Sequence, residues 1–178
     1  MKDKIAVNLL LEQLKDAHTW LEGTMEGVTD EVAAYMPPGK ANPIAGTYAH
    51  VIMSEDFFVH GLLKQTKPLM ETDFLNNTGA SELQPTEWQV AYPKWLKEVK
   101  VDVAQMRLYA KAVYKASEDY VASLTDKDLA REIDMSAWGM GKRTVSSILG
   151  GMVIGHARDI MGEISVLKGI QGLKGYPF

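Results

Sequence analysis

The sequence predicts an all-α fold, a bundle of four long helices formed as a single domain over residues 1–178. Apolar residues recur at steps of three and four along four long segments, no segment alternates convincingly as a strand would, and no internal repeat is present. Roughly 28 residues separate the second and third helices, enough for a crossover along the bundle, which opens an up-down-down-up order to the chain.

The first helix is predicted over residues 3–27, where Val7, Leu10, Leu11, Leu14, Ala17, Leu21 and Met25 form an apolar stripe with His18 at its edge. Thr29 opens a short turn, TDEVAAYM, whose acidic first residues suit the helix dipole. The loop PPGKANPI follows, and a second helix runs from Ala45 to about Gln65, carrying His50 near its start. Residues 66–93 read as a long connection with one short helix around PTEWQVAY. A third helix is predicted from Lys94 to Leu124 on the positions Leu96, Val99, Val103, Met106, Ala110, Val113, Tyr120 and Leu124. A turn at DKDLA and a bend at AWGMGK lead to a fourth helix, N-capped by Thr144 and ending around Gly169. Gly151 and Gly155 inside that helix each cost about 1 kcal/mol against alanine, so a closely packed neighbour is expected there.

Composition excludes several functions. The chain has no cysteine, hence no disulfide, thiolate ligand or thiol nucleophile, and any metal must be held by His, Asp, Glu or water. A net charge of −4 argues against nucleic acid, whose phosphates call for clustered Lys and Arg. Charges at Glu12, Lys15 and Asp16 break the N-terminal apolar run too early for a secretory signal, and the run VSSILGGMVIG is too short to span a membrane. A cytoplasmic protein is expected. The sequence also carries no Gly-x-Ser-x-Gly elbow, phosphate-binding glycine loop or His-Glu-x-x-His pair.

The candidate chemistry lies with the histidines. His156 shares a face with Leu149, Met152, Ile160 and Glu163, and His50 shares one with Ser54 and Phe57, so both are expected to point into the bundle, a usual place for metal and cofactor sites. A second histidine at position 160 would complete a two-imidazole clamp with His156, but Ile160 stands there. Asp159, one turn from His156, is the better carboxylate ligand, since Glu163 lies about 10 Å along the axis. His60, about 15 Å along and about 80° around from His50, reads as a surface or rim residue. A lone inward histidine is also commonly a hydrogen-bonded core residue, and that reading stands beside the metal.

The segments AHVIMSEDFFVHGLL and GHARDIMGEISVLKGIQGLKGYPF, taken in this order with the PPGKANPI loop, resemble the DinB-like superfamily, also called the YfiT-like metal-dependent hydrolase fold. The resemblance spans nearly the whole chain. It implies a four-helix bundle of up-down-down-up topology, frequently homodimeric, with a divalent metal such as Zn or Ni held by three histidines. His50 matches the helix-2 histidine. His156, Gly162 and Glu163 match the C-terminal His-x-x-x-His-x-Gly-Glu pattern, and Ile160 departs from it. Any retained ion would then be completed by Asp159, His18 or water. Relatives with assigned activity include thiol transferases that use bacillithiol and a mycothiol-dependent isomerase. Two functions follow: a metal-dependent hydrolase or thiol S-transferase acting on a small-molecule substrate with a degenerate site, or a small-molecule-binding or structural bundle that has lost the metal.

Overall fold

The computed structural model describes residues 4–87 and 90–178. Helix α1 (Ile5–Thr24) is followed by α2 (Asp30–Ala34) and by α3 (Ile44–Asp56), which continues directly into a π-helical segment, Phe57–Lys64. After a 3-10 turn at Leu69–Glu71 come α4 (Tyr92–Glu98), α5 (Val103–Ser123) and α6 (Asp126–Leu129). A small antiparallel hairpin, β1 (Glu132–Asp134) with β2 (Lys142–Thr144), precedes a helix run built end to end from α7 (Val145–Ser147), a second π segment (Ile148–Gly155) and α8 (His156–Ile170).

The fold is mostly helical, as the apolar periodicity predicts. Helix α1 packs on α5 and α8, and α3 packs on the same two helices. One continuous core runs between them, including Leu14 and Leu21 of α1, Tyr48 and Ile52 of α3, Met106 and Val113 of α5, and Ile164 of α8. The two ends of α1 are tied by side chains from distant parts of the chain. Asp126 accepts from the backbone N–H of Val7 at 3.0 Å, where a carboxylate suits the positive end of the helix dipole. At the other end Lys168 donates to the carbonyls of Thr24 and Glu26 at 2.6 and 2.7 Å. Among the described residues no helix is long and apolar enough to cross a membrane.

The predicted starts at Thr29 and Thr144 are in place: Thr29 accepts from Val32 N–H and Thr144 accepts from Ser147 N–H. The turn at DKDLA is α6, and there Thr125 with Asp128 forms a reciprocal capping box. The differences have local causes. Helix 1 is shorter than 3–27, and residues 1–3 lie outside the described residues, as do Trp88 and Gln89 of the expected PTEWQVAY helix, whose described part turns helical only at Tyr92. The expected third helix is two helices. Residues 99–102 leave the helix because Ser81 N–H bonds Lys100 O and Asp102 N–H bonds Gly79 O, both at 2.8 Å, while the Asp102 carboxylate caps α5 through Gln105 N–H. The bend at AWGMGK falls in the connection of the hairpin, where Gly139 and Gly141 have positive φ.

The glycines of the fourth helix do not mark a close neighbour. A Cβ at Gly151 would meet nothing within 4 Å, and one at Gly155 would meet only Gly150 O at 3.2 Å. Close backbone approach occurs instead at Gly46, where α3 lies against α4 and a Cβ would stand 1.9 Å from Leu96 O. Gly46→Ala must therefore separate two helices, and overpacking of this kind costs about 1–3 kcal/mol or more. A urea titration should show its midpoint well below that of the parent, whereas Gly151→Ala should leave the midpoint equal or raise it.

Candidate functional site

His50 and His156 meet where α3 faces the start of α8. Their ring centroids are 4.7 Å apart in an edge-to-face arrangement, both side chains half-buried. His50 is further held by Gln84, whose Oε1 is 2.7 Å from Nδ1, by Ser54 Oγ at 3.2 Å, and by the edge of Tyr92 with ring centroids 5.0 Å apart. Burial lowers the His50 pKa to about 4, helped by the neighbouring His156 against the Gln84 hydrogen bond. Burial also lowers His156, partly offset by the charges of Asp159 and Glu55. Both imidazoles are thus neutral near pH 7 and carry lone pairs. Beside them Glu163 is raised by burial and by Asp159, and Tyr92 is raised by burial and by Glu163.

His18 is engaged elsewhere. Its Nδ1 is 3.0 Å from Glu118 Oε1, its Nε2 is 3.1 and 3.2 Å from the two oxygens of Glu55, and its ring stacks on Tyr114 with centroids 4.0 Å apart. Burial opposes the charge, but the charge and hydrogen bond of Glu55, followed by those of Glu118, outweigh it and raise the His18 pKa. Next to it Glu22 accepts from Tyr48, Tyr114 and Arg107 at 2.5, 3.0 and 2.9 Å.

His60 is not a rim residue. It is buried, with Nδ1 2.8 Å from Asp56 Oδ1 at ion-pair distance, though without hydrogen-bond geometry. The π-helical continuation turns it inward, off the face that a straight α-helix would give it. Asp56 also accepts from Leu69 N–H, Met70 N–H and Tyr109 OH. Burial alone would raise this carboxyl, yet His60, Tyr109 and the two amides hold it below its usual value. Asp56 so pins the turn after α3.

A three-histidine metal does not fit these residues. The structure brings His50 and His156 together, keeps both nitrogens of His18 on carboxylates, and leaves Asp159 exposed on α8, with its charge felt at His156. Ile160, at the position of the missing histidine, is buried at 6% exposure and supplies only carbon. Among the described residues no group of three His, Cys, Asp or Glu side chains is placed to hold an ion. Gln84 and Tyr92 are the site residues that sequence reasoning missed: they lie in the long connection and at the start of α4, where no periodicity marks them.

The sequence model of the DinB superfamily matches residues 13–164. The chain belongs to the DinB superfamily. Its fold is similar to that of a conserved protein from Enterococcus faecalis, with a TM-score of 0.77 and 20% identity over 97% of this chain and 99% of that one. No curated protein matches this DinB-superfamily sequence.

His18 and His50 give stability opposite pH dependences. A raised pKa means that the folded chain holds the His18 proton more tightly, so its contribution is complete below the ordinary value of 6.5 and is lost as pH rises through the folded value. His50, lowered from 6.5 to about 4, contributes stability above 6.5 that is lost as pH falls toward 4, on the order of 3 kcal/mol. In urea midpoints measured from about pH 4 to 9, His18→Gln should flatten the alkaline side of the profile and His50→Gln the acid side.

Proposed function

We propose that this DinB-superfamily chain is a small-molecule-binding bundle whose receptor is the neutral His50–His156 pair. The observation that carries this reading is the packed pair of lowered-pKa imidazoles beside a buried Ile160. Perturbed pKa values cluster at functional sites. Two surface grooves lie elsewhere. One, of about 710 Å³, is lined by Asp30, Asn77 and Lys100, and the other, of about 840 Å³, by Phe74, Leu108 and Lys115. Neither includes a histidine.

A second reading keeps a divalent ion on the pair, completed by water, and with it the hydrolase or thiol-transferase chemistry of other superfamily members. The negative charges of Asp159 and Glu55 at His156 favour it. Titration calorimetry with zinc and nickel separates the two. The binding reading expects weak or no uptake by the parent and a gain of at least about tenfold in affinity for Ile160→His, which restores a donor. Tight uptake by the parent would establish the metal reading instead. A ligand-observed NMR fragment screen on the parent and on His50→Ala/His156→Ala completes the test. Hits that vanish in the double variant support the pair as receptor, and hits that persist would sink it.

The helix order up-down-down-up is our inference from the end pairings. Lys4 of the α1 start reaches Ala122 at the α5 end, Glu22 near the α1 end meets Tyr48 near the α3 start, and Lys168 near the α8 end reaches the α1 end. A homodimer and a cytoplasmic setting belong to the same proposal. Sedimentation at micromolar concentration should give twice the chain mass of 19.7 kDa, and a purely monomeric species would rule the dimer out.

A further inference from the structure

One face of the molecule carries apolar surface that the core does not use. Asp159, Glu163, Val166 and Ile170 of α8 recur at steps of four and three, which holds them within about 60° of one another, and all four are exposed. The stripe is acidic at its start and apolar along its later turns, and exposed Leu173 and Lys174 follow just beyond the helix. Beside it the segment after α8 folds back over the seam with α1. The Tyr176 hydroxyl comes near Gly162, a Cβ at Gly175 would collide with Ser165, and Pro177 closes on Gly23. There Phe178 stacks on Tyr176 and meets Trp20 of α1 edge to face, with ring centroids 5.7 and 5.0 Å apart. Trp20, Val166, Ile170, Leu173, Tyr176 and Phe178 are each between 37 and 75% exposed.

We propose that this face is where a second copy of the chain docks, with its α8 antiparallel to the first about a two-fold axis near Val166 and Ile170. The inference rests on the homodimer proposed above and supplies its surface. Area is the first argument. At roughly 150–250 Å² for a whole aromatic side chain, the three rings alone leave about 300 Å² in contact with water. With the three aliphatic side chains, the face approaches the apolar share of a standard interface, a little over half of the roughly 800 Å² that each partner contributes. Patches of this size on a chain surface mark interaction sites, and tryptophan and tyrosine are enriched in them. Charge is the second argument. A two-fold contact has to complement itself. Turned end for end on a copy, the stripe brings Glu163 toward the partner's Lys174 while Val166 and Ile170 meet their own counterparts.

The test is sedimentation of the parent and of surface variants over a range of concentrations, with far-UV circular dichroism and urea midpoints to show that each variant is folded. Val166→Arg sets an arginine against its own copy at the axis and should weaken dimerisation by at least about a hundredfold. Glu163→Lys should weaken it by about tenfold, since the pair occurs twice across the axis, and adding Lys174→Glu should restore it. Leu108→Arg, on an exposed apolar side chain of α5 outside the face, should leave the dimer intact. A dimer indifferent to Val166→Arg overturns the surface and leaves the homodimer standing. A charge swap that fails to restore association overturns the antiparallel seating. Growth past the dimer with concentration, the mark of a head-to-tail contact, overturns the two-fold arrangement. A monomeric parent overturns both the surface and the homodimer and gives the face to a different partner.

Discussion

The seating of the His18 ring between two carboxylates is the constraint on which the rest of the arrangement depends. Held by Glu55 and Glu118, the ring joins α1 to both α3 and α5 inside the core. Buried ions hold a structure only while each is paired, since removal of one partner strands the other at a cost of several kcal/mol. Glu22 repeats the device one turn further along α1, gathering Tyr48, Tyr114 and Arg107. The clamp also sets the rotation of α3. With Glu55 turned toward α1, a residue five positions earlier lies about 140° around the helix, and His50 is thereby presented to α8.

The two π-helical segments act on the same geometry from the other side. Each has eight residues, the first following α3 and the second running into His156. The His156 N–H reaches back five residues to Gly151 O, the signature of the wider turn. Segments of this kind are rare and often found at functional sites. At Gly150 and Gly151 an added Cβ would meet nothing within 4 Å, so these glycines belong to the backbone of that turn and not to a packing surface.

How much of this was legible in the sequence depended on range. The inward faces of His50 and His156 followed from helical spacing alone, as did the caps at Thr29 and Thr144, because each is set within one or two turns. The break at 99–102 was hidden because Leu96, Val99, Val103 and Met106 keep steps of three and four through it, while its cause, the pairing with residues 79–81, lies about 20 residues away in the chain. The hairpin has three-residue strands with Ile133 alone buried in β1, too short to display an alternation. His60 was misplaced by assuming α-helical turns where the backbone is π-helical. Gln84 carried no sequence signal, since a glutamine in an irregular connection looks like any solvated amide until the fold brings it to His50.

The seating of Lys168 also bears on how the surface meets reagents. Its ammonium is spent on the last carbonyls of α1 and of the turn after it, and only 4% of the residue is exposed. An amine acylating reagent that modifies exposed lysines such as Lys115 within seconds has to wait at Lys168 for the end of α1 to let go. Its labelling rate thus becomes a clock for the opening of the α1–α8 seam, a local motion that measurements of global unfolding pass over.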